Sequence, residues 1–173
     1  MVLVQVRHDG DRDRSYNGRM RMVDPHVLKS RRYRLPEELA YVEMLCTADV
    51  LTRGIVPLLK AEELSLAQYN VLRILNGSPA GLPCGEIGER MITRDPDITR
   101  LLDRLEKRKL ILRTRELQDR RRVLSRITPE GRELLLRMNG AVRQVHRKQL
   151  GHLGRERLKT LTELLRAART SER

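Results

Sequence analysis

Between residues 96 and 108, Ile98, Leu101, Leu102 and Leu105 recur at helical spacing, while Thr99, Arg100, Asp103, Arg104 and Lys107 fall off that stripe. A helix divided in this way buries one face and turns an arginine-rich face to solvent. Before it, residues 83–91 read as a shorter helix with Ile87 and Met91 inward, joined by the turn Ile92-Thr93-Arg94-Asp95. After it come two β-prone runs, residues 110–115 and 122–127, around a polar tip with Asp119, Arg120, Arg121 and Arg122. Helix, turn, helix and basic hairpin in this order predict a winged helix-turn-helix, and the rest of the chain must be arranged around it.

The flanks are helical. Residues 36–59 predict a long helix with Pro36 at its first position, Glu37 and Glu38 at the positive end of its dipole, and Leu39, Val42, Leu45, Cys46 and Val50 on one face. Pro57 should bend or stop it. Residues 66–75 form the next helix, opened by a Ser65/Gln68 capping box, with Leu66, Tyr69, Leu72 and Leu75 as its buried stripe. Thr128-Pro129-Glu130 starts a helix that runs to about Gln149, with Leu135, Met138, Val142, Val145 and Gln149 near one face. Gly151 and Gly154 break it, and a last helix follows over residues 155–169 with Leu158, Leu161, Leu164, Leu165 and Ala168. A winged helix of this size cannot cover such extensive terminal stripes, so they predict a two-fold dimer. The expected fold is mostly α with a small β-hairpin wing (α+β). Its parts are a basic, flexible extension over 1–35, a first dimerisation helix over 36–62, the winged helix-turn-helix over 63–128 and C-terminal dimerisation helices over 129–173.

Charge narrows the partner. The net charge is +13, which favours a polyanion, and residues 1–35 alone hold nine basic against four acidic residues. Aromatics are four Tyr with no Phe or Trp, which argues against single-strand or RNA binding by base stacking and leaves duplex DNA. No apolar run is long enough for a transmembrane helix, so neither a membrane partner nor a membrane location is expected, and a cytoplasmic site fits. Cys46 and Cys84 have no paired spacing, and His146 and His152 have no metal-ligand companions. No nucleophile–base pair, phosphate loop or metal cluster occurs, so neither an enzyme activity nor a cofactor is expected.

Candidate DNA-contacting residues are Thr93, Arg94, Asp97, Thr99, Arg100 and Arg104 in the recognition helix and its turn, and Arg113, Arg115, Asp119, Arg120, Arg121 and Arg122 in the wing. Arginine is the commonest reader of guanine, so Arg100 and Arg104 suit base edges or phosphates. Each could instead form a helical ion pair with Asp97, Asp103 or Glu106. Asp97 and Asp95 suit the helix cap better than a phosphate contact. The arginines of the hairpin outnumber its acids, so the wing is expected to supply most of the affinity.

The residues Ser65-Leu66-Ala67-Gln68-Tyr69, the run from Asp97 to Glu106, and Asp119-Arg120-Arg121-Arg122 followed by Ile127-Thr128-Pro129-Glu130-Gly131 resemble the MarR family of bacterial transcription regulators. The resemblance spans about residues 39–165. It implies a homodimer on a pseudo-palindromic operator in double-stranded DNA, with the recognition helix in the major groove. Arg121 would be the minor-groove arginine, oriented by Asp119. It further implies a repressor released by a small aromatic or phenolic acid, held in a crevice for which Tyr41, Met44 and Tyr69 are candidates. Two departures stand out. Lys109 replaces a frequent Gly after the recognition helix, and Tyr41 stands where peroxide-sensing members carry their cysteine. The competing readings are a winged-helix module for an acidic protein partner and a redox switch using Cys46 or Cys84.

Overall fold

A computed structural model describes residues 35–93, 95–116 and 122–170. Among these described residues, six α-helices and three strands follow in order: α1 (Pro36–Ala61), α2 (Leu66–Asn76), β1 (Leu82–Pro83), α3 (Cys84–Arg90), α4 (Ile98–Lys107), β2 (Ile111–Arg115), β3 (Val123–Ile127), α5 (Pro129–Leu150), a 3-10 turn (Gly151–Leu153) and α6 (Gly154–Thr170). The chain divides into two compact units, of which the first ends at Cys46 and the second is Thr47–Arg173. The expected extension over residues 1–35 lies, apart from Leu35, outside the described residues.

In the second unit an apolar core joins the helices to the sheet. Leu59 of α1, Val71, Leu72 and Leu75 of α2, Ile87 of α3, Leu102 and Leu105 of α4 and Ile111 of β2 are all almost completely buried. Capping chemistry sets the helix starts. The Gln68 backbone N–H donates to Ser65 Oγ at 3.1 Å, and the Ser65 N–H donates to Gln68 Oε1 at 2.8 Å. Leu66 sits in the first turn, beyond the edge of the core, and is 41% exposed rather than part of the buried stripe.

Two features go beyond the expectations. The hairpin is part of a three-stranded antiparallel sheet in the order β1-β3-β2, with Leu82 opposite Ser125 and Pro83 opposite Leu124. β1 is only two residues long and contains a proline, so nothing periodic announces it; it is defined by the edge of β3. Pro57 does not end α1, which runs on to Ala61. Proline removes a single donor, and the burial of Ile55 and Leu59 on the core holds the last turns in register. Gly54 in this stretch leaves room for the Gln149 amide of α5, which donates to the Leu51 carbonyl at 3.0 Å.

Lys109 takes a left-handed conformation (φ 58°), closing α4 with N–H bonds from Lys109 to Glu106 O (2.8 Å) and from Leu110 to Leu105 O (3.0 Å). Without glycine this costs about 1 kcal/mol, which the closed helix end and the buried Leu110 outweigh. Among the described residues, no helix is long and apolar enough to cross a membrane.

Candidate nucleic-acid interface

α4 carries Leu101, Leu102 and Leu105 into the core and leaves Thr99, Arg100, Asp103, Arg104 and Lys107 exposed. Asp97 caps it: the Arg100 N–H donates to Asp97 Oδ1 at 3.4 Å, and Arg100 Nε lies 3.2 Å from Asp97 Oδ2. The Asp97 N–H in turn donates to Asp95 Oδ1 at 2.9 Å. A small open cleft of ≈110 Å³ is lined by Asp95, Asp97, Arg100, Leu101 and Arg104. Thr93 is exposed at the turn, while Arg94 lies outside the described residues.

The other two acids of α4 do not pair along the helix. Both converge on Arg113 of β2, which lies 2.6 Å from Asp103 Oδ1 and 2.6 Å from Glu106 Oε2. Glu106 Oε1 also accepts the Arg113 backbone N–H at 3.0 Å. The side-chain bond to Arg113 holds the Glu106 carboxyl below its ordinary range, and the same bond raises the Arg113 guanidinium. Arg113, a candidate for DNA contact, is thus already engaged within the domain. Its guanidinium, only 26% exposed and gripped by two carboxylates, bolts the wing to α4.

The remaining wing residues differ in how far they are engaged. Arg122 is tied to Glu116 at 3.2 Å and, more distantly, to Glu86. Arg126 donates to Thr114 Oγ1 at 2.7 Å, and its stem lies over Gly81. Arg115 is exposed and, among the described residues, makes no ion pair. Asp119, Arg120 and Arg121 lie outside the described residues. The candidate crevice residues fall in different surroundings: Tyr41 (61%) and Met44 (40%) are exposed in the first unit. Tyr69 is buried in the core of the second, its hydroxyl accepting from Arg73 at 3.1 Å. Both cysteines are half-buried free thiols.

Sequence reasoning missed Glu106 as the organising acid of this face. The contact spans a helix end and a strand, so no helical spacing reports it. Replacing Glu106 with Gln should lower stability at neutral pH by roughly 1 kcal/mol, a modest figure because both side chains are partly exposed. The pH dependence follows from the lowered carboxyl. Its contribution is complete above the ordinary value of 4.5 and is lost as pH falls through the depressed one. In urea unfolding, the gap between parent and Glu106→Gln should therefore close in acid. A gap that stayed constant with pH would show that the charge is not what matters.

Known proteins resemble this chain in sequence and fold. Residues 64–123 match the model of the MarR family. The homoprotocatechuate degradative operon repressor of Escherichia coli is 28% identical over 109 residues, covering 63% of this chain and 73% of that protein. A MarR transcription factor from Planctomyces limnophilus is 38% identical with a TM-score of 0.59, covering 79% of this chain and 99% of that one. NadR, solved in complex with 4-hydroxyphenylacetate, is 26% identical with a TM-score of 0.63, covering 76% and 92%.

Proposed function

The chain belongs to the MarR family of transcriptional regulators, and from that premise we propose that it binds a pseudo-palindromic operator in duplex DNA as a homodimer and represses transcription until a small aromatic acid releases it. The observation that carries DNA binding is the charge pattern of α4. Asp97 is engaged by Arg100, and Asp103 and Glu106 by Arg113. Among the described residues, Arg104 and Lys107 stand exposed on the same helix without an ion pair. On a groove-facing helix whose acids are drawn into pairs with Arg100 and Arg113, Arg104 and Lys107 are left to meet phosphate. Arg115 extends that charge along the wing, and Arg120 to Arg122 follow it in sequence.

The homodimer is supported by apolar residues left uncovered in a single copy, including Leu161, Leu164 and Leu165 of α6. Two recognition helices related by a two-fold axis suit half-sites about 34 Å apart. The effector class is taken from the relatives: one is described as repressing a homoprotocatechuate operon and another was solved with 4-hydroxyphenylacetate. Tyr41 and Met44, exposed on α1, remain candidates to meet such a ring.

Binding to the DNA upstream of the regulator's own gene, measured across a salt series, tests the reading. Affinity is expected to fall roughly a thousandfold or more between 50 and 200 mM salt if six or more phosphates are neutralised per dimer. The double change Arg104→Ala, Lys107→Ala should weaken binding to every sequence and flatten that slope. A parent slope near zero would sink the proposal.

A further inference from the structure

The ion pair at the start of α4 does more than cap a helix. Arg100 is 72% exposed, and an exposed arginine with no tether samples many rotamers. Here it is tethered twice by one carboxylate, through its own backbone N–H at 3.4 Å and through Nε at 3.2 Å. Asp97 is itself held, because its N–H donates to Asp95 Oδ1 at 2.9 Å. The closest approach to the guanidinium is at Nε, so its outer edge stays available to a second acceptor. Arg100 lines a small open cleft together with Asp95, Asp97, Leu101 and Arg104. An arginine held at Nε with its terminal amino groups outward matches the paired acceptors O6 and N7 of guanine in the major groove.

We propose that Asp97 is a positioning residue for base selection: its Nε contact aims Arg100 at one guanine per half-site, so that Asp97 sets specificity although its own charge opposes phosphate. The inference rests on the DNA-reading function proposed above. It predicts opposite effects on two affinities. Removing the carboxylate charge strengthens binding to DNA of any sequence, because one negative charge per protomer leaves the interface. The same change weakens discrimination at one base pair, because Arg100 regains its rotamers.

Asp97→Asn separates these roles, since asparagine caps a helix as well as aspartate does. The full-length parent, Asp97→Asn, Asp97→Ser (a second capping side chain) and Arg100→Ala are each used to select duplexes from a randomised pool. Discrimination is then measured on the selected duplex and on a copy with the conserved guanine replaced. The parent is expected to enrich a two-fold motif, and Arg100→Ala to lose one guanine per half-site. Asp97→Asn and Asp97→Ser should lose preference at that same position by about tenfold, with unchanged melting temperature and tighter binding to random duplex. Undiminished discrimination in both Asp97 variants, or loss at a different base pair, would overturn the proposal. A parent that enriches no motif would instead overturn the DNA-reading function itself.

Discussion

Replacing Gly131 with alanine is expected to destabilise the winged helix by roughly 3 kcal/mol and lower its melting temperature by about 10 °C. On propensity alone the sign should be the reverse, because alanine is favoured over glycine inside a helix by about 1 kcal/mol. Packing decides against propensity. Gly131 is buried in the first turn of α5, where an added Cβ would fall well inside contact distance of the Leu110 carbonyl oxygen and 2.8 Å from Ile127 Cγ1. Neither neighbour is a flexible side-chain end. The Leu110 carbonyl accepts the Thr128 N–H at 3.1 Å, and the Lys109 carbonyl accepts the Thr128 hydroxyl at 2.7 Å. That hydroxyl in turn accepts the Gly131 N–H at 3.1 Å. Any shift that relieves the clash loosens the joint between the end of α4, the sheet and α5. At Gly140 of the same helix an added Cβ would meet nothing within 4 Å, so Gly140→Ala should instead stabilise by up to about 1 kcal/mol. Thermal melts of the two variants test this; equal effects would show that the close approach at Gly131 is relieved without cost.

The same joint explains why parts of this chain are legible without its structure. Ser65 with Gln68, and Thr128 with Pro129, act on backbone groups within four residues of themselves, so their chemistry can be read along the sequence. The stripe of Leu101, Leu102 and Leu105 is legible for a similar reason, since periodicity alone decides which face is buried. Thr128-Pro129-Glu130-Gly131 is recognisable as a motif, but its cause is not. Its glycine answers to Leu110, a residue distant in sequence, and that dependence appears only in three dimensions.

The interface is less legible, because its charges pair between elements. Counted along the chain, α4 looks nearly neutral and the hairpin strongly basic, which assigns most of the affinity to the wing. In the folded domain Asp103 and Glu106 reach across to Arg113, and Arg122 meets Glu116. The first of these contacts crosses from helix to wing, and the second lies within the wing. Among the described residues, Arg104, Lys107 and Arg115 are left exposed without an ion pair. A linear charge count cannot report such pairs, because an ion pair belongs to neighbours in space and a strand following a helix folds back within reach of it. The expected contacts of Arg94, Asp119, Arg120 and Arg121 fall outside the described residues.

Placing glutamates at Leu161 and Leu165 together should convert the proposed dimer to monomers and reduce operator affinity by roughly a hundredfold or more. α6 runs for 17 residues without a single buried position. Leu161, Leu164 and Leu165 recur three and four residues apart and so share a face, yet they are 36%, 64% and 37% exposed in one copy. Burying a leucine fully contributes about 1.5–3 kcal/mol, and Leu161 and Leu165, with a little over a third of their surface still open, contribute about a third of that each. Across a two-fold interface the loss sums to roughly 3 kcal/mol, about a hundredfold in the dimer constant. The substituted acids would add the cost of desolvating charge. Glutamate is a good helix former, so α6 itself should persist and circular dichroism should be unchanged. A monomer must hold its half-site alone and forfeits the gain from linking two weak contacts, which carries the loss over to DNA. Sedimentation of the double variant decides the matter: a dimer of undiminished stability would mean that this face is covered by something other than a second copy.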